Sequence, residues 1–579
     1  MHVARTACLC FVIPAILPGI GCTSPPSWPD LTWVATGRGG MVASPSPLAS
    51  EAGASILRAG GNAIDAAVAT SLAIGVTRPY SSGLGGGGFM MVRLARTDAV
   101  IALDYRETAP AAATRDMFTT ARAATPDAPP PSRYGGLAVA TPGLIAGHAE
   151  MLTKYGTRSW ANVTEPAHKL AADGFEADAA FVRATRGALH TLAKHPSLTE
   201  AGRYLHASFS NKGEPVTVGE RVVQPALAAA LKRIAAEGPQ GFYSGPVAES
   251  IVAAVRNTGG ILTADDLARY EPRWREPLRM TYRQRYTLFL MPPPSSGGIV
   301  IAQTLNFLEP TDLSLIRQVD APAAAHWFIE AMKHAYADRA RWLGDPDAVD
   351  VPTERLLDKA YAASLAEQSS TERTQAPERY GSTTIPDDGG TAHFSVVDRW
   401  GNVVACTETI NTSFGSFVAA EPFGIILNNE MDDFTAEPGK PNAFGLIQSE
   451  RNAVVPNRRP LSSMSPTIVL RDGKPWLTLG AAGGPRIISS VINVLLSVID
   501  SGAPLPEAMR TRRLHHQWQP DEIVASSPVP EPMADGLRWR GHRIAEQTGA
   551  GHLHAIMIED GWLIGASDPG KGGGPAAVR

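Results

Sequence analysis

Apolar residues recur at helical spacing over residues 47–73, where Leu48, Ala52, Ile56 and Ala59, then Ile64, Ala67 and Val68, fall three to four apart. Gly60-Gly61-Asn62 interrupts that run and reads as the cap of one helix and the start of another. Short apolar runs at 89–94 and 99–103 predict two adjacent strands. Helical patterns then dominate, most clearly at 142–155, 164–173, 223–236 and 321–342. Residues 367–390 are polar and aperiodic, which predicts a solvated, mobile segment. Beyond it the pattern turns to strands at 393–397, 403–409, 467–470 and 476–479, a helix at 487–501, and a last strand pair at 555–558 and 562–566. The chain thus reads as α-rich, then β-rich, with a flexible seam near residue 390 and no internal repeat.

The amino-terminal pattern is of another kind. Behind Arg5, residues 7–20 are almost wholly apolar, and residues 1–21 read as a signal peptide. Pro14 and Pro18 break a stretch that is already shorter than the ~20 residues a spanning helix needs. Gly19-Ile20-Gly21-Cys22 resembles a bacterial lipobox, with Gly19 where that motif usually has Leu. Two readings stay open: Cys22 is the acylated first residue of a lipoprotein, or an incidental cysteine behind an ordinary export signal. Both expect an exported protein, periplasmic or lipid-anchored to a bacterial membrane. Residues 22–40, rich in Pro and Gly, read as a linker.

Composition narrows the function. At 579 residues, with 44% hydrophobic and 19% charged residues, the chain has ample material for a large core. A net charge of −4 without a Lys/Arg stripe speaks against a nucleic-acid partner. Four cysteines, two of them within the signal, make no disulfide framework, and no Cys-x-x-Cys pair suggests zinc. His515-His516 is no better as a metal site, because adjacent side chains on a helix diverge by about 100°. The glycines at 83 and 85–88 run from a helix into a strand, the reverse of a phosphate loop, and read as a tight bend with close backbone packing.

The informative motif is Gly389-Gly390-Thr391-Ala392-His393-Phe394-Ser395, a hydroxyl residue where a polar segment meets a strand. Attack of the Thr391 hydroxyl on the carbonyl of Gly390 would give an ester, and hydrolysis would free Thr391 as a new chain start. Its α-amine, with a pKa of about 8, would then serve as base for its own hydroxyl. Asp398-Arg399-Trp400-Gly401-Asn402 reads as a hairpin turn that returns Thr409 and Asn411 to the neighbourhood of Thr391. Polar clusters follow at 428–434, 460–466 and 480–486. The last holds Gly483 and Gly484 before a helix, where backbone amides suit an oxyanion.

These residues, in this order, resemble the γ-glutamyltranspeptidase family of N-terminal-nucleophile hydrolases over roughly residues 36–579. Further matching motifs are Leu48-Ala49-Ser50-Glu51-Ala52-Gly53, Gly60-Gly61-Asn62-Ala63-Ile64-Asp65, Asp104-Tyr105-Arg106-Glu107, Pro293-Pro294-Ser295-Ser296-Gly297-Gly298 and Gly565-Ala566-Ser567-Asp568-Pro569. The resemblance implies an α+β fold, a four-layer αββα sandwich built from two fragments of one precursor. Cleavage between Gly390 and Thr391 would yield a large subunit, 41–390, and a small catalytic subunit, 391–579, held as a heterodimer. Thr391 would be the nucleophile, Thr409 its orienting residue, and Gly483 and Gly484 the oxyanion hole. Arg106, Ser462 and Ser463 would hold the substrate α-carboxylate; Asn411, Glu430 and Asp433 would hold its α-amino group. The implied activity is cleavage of γ-glutamyl amides such as glutathione through a γ-glutamyl ester, passed to water or to an amino acid or peptide, with no cofactor or metal. Ala392 and Phe444 stand where some members carry Thr and Tyr, Phe444 within an expected lid over residues 438–457. Two rival readings remain: a related cephalosporin or glutaryl acylase, against which the carboxylate of Asp433 argues, and an uncleaved, inactive binding lipoprotein.

Overall fold

The structure, a computed structural model, describes residues 26, 28, 30–211, 213–380, 391–437, 442–446 and 449–578. The signal peptide and Cys22, Gly390 and part of the expected lid lie outside the described residues.

Two seven-stranded sheets face each other. Strands are numbered along the chain: β1 Val34–Gly37, β2 Gly40–Ala43, β3 Gly87–Arg93, β4 Val100–Tyr105, β5 Arg273–Arg275, β6 Leu278–Tyr282 and β7 Tyr286–Leu290. Then come β8 Ala392–Asp398, β9 Val403–Thr409, β10 Thr467–Arg471, β11 Lys474–Ala482, β12 His552–Glu559, β13 Trp562–Ser567 and β14 Ala576–Val578. One sheet runs β1-β13-β12-β11-β10-β7-β6 and the other β14-β2-β8-β9-β3-β4-β5. Within both, every pairing is antiparallel.

Helices close both outer faces. α1 (Pro47–Arg58) and α2 (Ala63–Thr77) pack on β2, β8 and β9, while α3 (Gly297–Leu308) and α5 (Arg486–Ile499) pack on β6, β11 and β12. α4 (Ala321–Trp342) lies over α3. The layers are therefore αββα, as the family resemblance implies. β8 shows why such a strand reads as a nearly unbroken buried run. Phe394 and Val396 join the core under α1 and α2, whereas Val397 joins the core shared with the facing sheet. Ser395, on that inner side, lies 3.4 Å from Thr478 Oγ1 of β11.

One local expectation holds and three need correction. The 47–73 run is two helices, as its Gly60-Gly61-Asn62 interruption predicts: the Asn62 side chain accepts from Ile64 and Asp65 N–H and Asp65 reaches back to the Asn62 N–H, forming a capping box. The linker at 22–40 contains a true strand, β1, paired with β13 at Val34↔Ala566. The first part is richer in strand than its two predicted runs at 89–94 and 99–103: of the strands in the two large sheets, seven precede residue 390 and seven follow it. Finally, residues 369–380 are held by side chains of α4. His326 Nε2 lies 2.8 Å from the Ser370 carbonyl, and Lys333 donates to Thr374 Oγ1 at 2.8 Å and to the Gln375 carbonyl at 3.2 Å.

Candidate active site

Thr391 immediately precedes β8 and is buried. At the far end of that strand the Asp398 carboxylate accepts from the N–H groups of Trp400 (2.9 Å) and Asn402 (3.0 Å), and Gly401 takes a φ of +85°. This turn returns β9 in the register Ala392↔Glu408, so one further step sets Thr409 opposite Thr391. The chain then twists at Asn411, whose φ of +75° is unusual for a residue with a side chain. That conformation is pinned by the Asn411 N–H donating to Thr409 Oγ1 at 2.7 Å and by its amide donating to the Asn429 carbonyl at 2.9 Å. The glycine bend does what close packing requires: a Cβ on Gly86 would stand 2.0 Å from the Thr409 carbonyl oxygen.

Arg106 follows β4 and is almost fully buried. Its guanidinium pairs with Glu430 through Nη1 and with Asp433 through Nη2, and lies 3.8 Å from Glu107. Nε and Nη2 also donate to the carbonyls of Pro460 and Leu461, both at 3.3 Å, and Tyr270 donates to the Arg106 carbonyl at 2.7 Å. The acidic partners sit on the short turn Glu430–Asp433. Asn428 fixes it, accepting from the Glu430 N–H at 3.0 Å while donating to the carbonyls of Gly85 (2.8 Å) and Ala140 (2.9 Å).

Three carboxylates thus surround one guanidinium in a buried site. Burial pushes the Glu107 carboxyl up to about 8 and Asp433 up to about 6, and lifts Glu430 well above the usual range, although Arg106 pulls each back. Burial alone would lower Arg106, but the carboxylates reverse that and hold it firmly charged.

The remaining residues come from the two later polar clusters. Ser462 Oγ accepts from the Met464 N–H at 3.2 Å, and the Ser462 carbonyl accepts from Ser296 Oγ at 2.6 Å. Gly483 and Gly484 have φ of +127° and +56°, and their carbonyls accept from the N–H groups of Arg486 (3.2 Å) and Ile487 (3.0 Å) as α5 begins. A side chain at Gly484 would meet the Phe444 ring at 2.5 Å.

One cavity gathers most of these groups. Thr391, Thr409, Asn411, Arg106, Glu430, Asp433, Ser462, Ser463 and Gly484 all line it; Gly483 is adjacent in sequence but not in the lining. Arg339 is the charged lining residue the sequence reading missed. It is fully buried near the end of α4, its Nε donates to Ser296 Oγ at 2.9 Å, and burial lowers it to about 10. The available signal was a helix whose buried positions include His326, Glu330, Lys333 and Arg339. His515 and His516 turn to separate partners, Ser489 and Gln517 for the first, the Trp518 N–H and Asp521 for the second.

A four-layer sandwich with a buried threonine at the head of an inner strand, beside a glycine turn entering a helix, is the architecture of the N-terminal-nucleophile hydrolases. The profile of the gamma-glutamyltranspeptidase family matches residues 49–578. The chain is 44% identical over 535 residues to the glutathione hydrolase proenzyme of Escherichia coli strain K12, covering 92% of this chain and 90% of that one. It is 37% identical to the proenzyme of Bacillus subtilis strain 168, covering 96% and 94%. Among solved structures, a cephalosporin acylase from Bacillus halodurans matches with a TM-score of 0.83 at 28% identity, covering 96% of this chain and 99% of that one. A chain of Helicobacter pylori gamma-glutamyltranspeptidase matches with a TM-score of 0.53 at 38% identity, covering 58% and 93%. The protein belongs to the γ-glutamyltranspeptidase family.

Proposed function

We propose that the chain cleaves itself between Gly390 and Thr391 and then removes the γ-glutamyl group from glutathione and related amides. The observation that carries this reading is the convergence of Thr391, Arg106 and Asp433 on one cavity. A γ-glutamyl donor presents an α-carboxylate and an α-ammonium at one end. Arg106 with Ser462 and Ser463 suits the first, and Asp433 with Glu430 and Asn411 suits the second. Binding exchanges the internal Arg106–carboxylate contacts for contacts to the substrate.

Thr391 Oγ attacks the γ-carbonyl, its proton passing through the freed α-amine to the departing nitrogen. The developing oxyanion meets the Gly483–Gly484 turn. Water, or the amine of an amino acid or peptide, then resolves the γ-glutamyl ester. Thr409, fixed through its bond with the Asn411 N–H, orients the nucleophile.

The large subunit, 41–390, and the small subunit, 391–579, stay together because both sheets mix strands from the two. β8 and β9, for example, lie between β2 and β3. The proenzyme names of the relatives support this maturation.

A glutaryl or cephalosporin acylase is the second reading, favoured by the high TM-score of the Bacillus halodurans structure. Asp433 favours glutamyl over glutaryl substrates, because a glutaryl group brings no ammonium to offset a buried carboxylate. Incubating processed protein with glutathione, with and without glycylglycine, tests the reading: free glutamate and γ-glutamyl-glycylglycine are expected, and cleavage of glutaryl amides alone would contradict it. Export through residues 1–21, with acylation of Cys22, completes the proposal. Labelled fatty acid retained by the wild type and lost from Cys22→Ala checks the anchor.

A further inference from the structure

Under α2 lies a buried polar cluster that the proposed chemistry does not use. The Glu408 carboxylate of β9 accepts from the Tyr105 hydroxyl of β4 at 2.8 Å and from Ser71 Oγ of α2. It also lies 2.8 Å from Nε2 of His148, on the helix Leu144–Tyr155. Cys406 Sγ is 3.0 Å from the same hydroxyl. All five side chains are sealed from solvent. Burial pushes the Tyr105 hydroxyl and the Cys406 thiol well up, so both keep their protons.

Tyr105 and Glu408 are not neighbours in the sheet. β3 runs between β4 and β9, and Gly88 pairs with Tyr105 on one side and with Glu408 on the other. Strands about 4.8 Å apart leave the two residues about 10 Å from each other. Their side chains meet because Gly88 has none: a Cβ there would stand 2.8 Å from Glu408 Cγ. Gly147 makes room for the ring in the same way, since a Cβ at Gly147 would stand 2.3 Å from Tyr105 Cγ. The His148 ring then meets the Tyr105 ring edge-on, with centroids 5.9 Å apart.

We infer that Glu408 is a positioning residue, whose bond with Tyr105 across Gly88 fixes the distance between the substrate clamp and the nucleophile. Arg106 follows Tyr105 directly, and Thr409 follows Glu408. Neither Tyr105 nor Glu408 lines the Thr391 pocket, so the bridge acts through those two neighbours. The inference rests on the roles given above to Arg106 and Thr409 and adds what sets their separation. A γ-glutamyl group has a fixed reach from α-carboxylate to γ-carbonyl, so a shift at either end misaligns the attack. A buried carboxylate is costly unless its oxygens are hydrogen-bonded, and here both are, which makes the bridge directional where an apolar contact would not be. Ser71, Tyr105 and His148 all belong to 41–390 and Glu408 to 391–579, so the bridge also joins the two subunits after cleavage.

The test measures nitroaniline release by processed enzyme from γ-glutamyl-p-nitroanilide and from its β-aspartyl analogue, one methylene shorter. Tyr105→Phe removes the bridge, whereas Ser71→Ala removes a bond of the same carboxylate that links no two of these strands. Tyr105→Phe should lower kcat/KM for the glutamyl donor about tenfold and narrow its preference over the aspartyl donor several-fold. Ser71→Ala should stay within about twofold of the wild type on both counts. Glu408→Gln, which keeps an acceptor for the hydroxyl, should fall between them. The preference does not depend on how much of the protein is folded, which separates positioning from a loss of stability. Wild-type values in Tyr105→Phe, or equal losses in Tyr105→Phe and Ser71→Ala, overturn the inference. A wild type that releases no nitroaniline overturns the reading of function instead.

Discussion

Lys333 and Arg106 are both cations buried among polar groups, yet their surroundings differ. Around Lys333 the partners are protein: Asp521 at 2.9 Å, Thr374 Oγ1 and the Gln375 carbonyl. Its neighbour Glu330 accepts from Thr374 Oγ1 at 2.6 Å and from Tyr380, and His326 lies 2.7 Å from His542. Although His326, Glu330 and His542 bring donor atoms within 4.8 Å of one another, those atoms already serve the fold. Around Arg106, three carboxylates compete for one guanidinium, and Ser463 Oγ and Arg339 Nη1 have no hydrogen-bond partner among the described residues. An unpaired buried polar group costs about 1–3 kcal/mol, a cost that a bound ligand can remove. The satisfied cluster holds segments together, and the unsatisfied one is where the proposed zwitterionic substrate would bind.

Four substitutions can break that contrast. Thr391→Ala should have the largest effect, abolishing chain cleavage and lowering turnover by at least ~1,000-fold; a gel and a glutamate-release assay read both, and a processed variant would refute the maturation step. Arg106→Lys keeps the charge but loses the fork, so the KM for γ-glutamyl donors should rise about 10- to 100-fold. Glu330→Gln should do the reverse, lowering stability by about 1–3 kcal/mol in denaturant unfolding while leaving donor KM in place. A shift in KM there would erase the distinction between the clusters.

The smallest effect concerns Asp433. Its carboxyl, raised to about 6 by burial, must be ionised to hold an ammonium, so kcat/KM for glutamyl donors should fall as pH drops below about 6. Asp433→Asn should flatten that limb and shift preference from glutamyl toward glutaryl amides by a few-fold. An acid limb that persists unchanged in Asp433→Asn would assign the titration to another group.

What the sequence made legible follows from how local each signal is. The strands at 393–397 and 403–409 and the turn at Asp398 are coded within twenty residues, and the structure has them as β8, β9 and a turn held by the Asp398 carboxylate. β1 is four residues long and owes its pairing to Leu563–Ala566, over 500 positions away, so no local pattern announces it. Residues 369–380 look solvated because their partners, Glu330, Lys333 and the Trp518 indole on the Pro377 carbonyl, come from other elements. Arg339 reads as a basic residue in the last turn of a helix, a favourable place for charge on an exposed helix. Its entry into the pocket is visible only once α4 is laid over α3. The motif residues of the site were legible because their order along the chain matches a family, not because spacing alone brings Arg106 to Asp433.

The most direct test is the intact mass and amino-terminal sequence of protein that is turning over glutathione. The account requires two chains, the smaller beginning at Thr391 with a free α-amine. A single chain with an unbroken Gly390–Thr391 bond and full activity would contradict it.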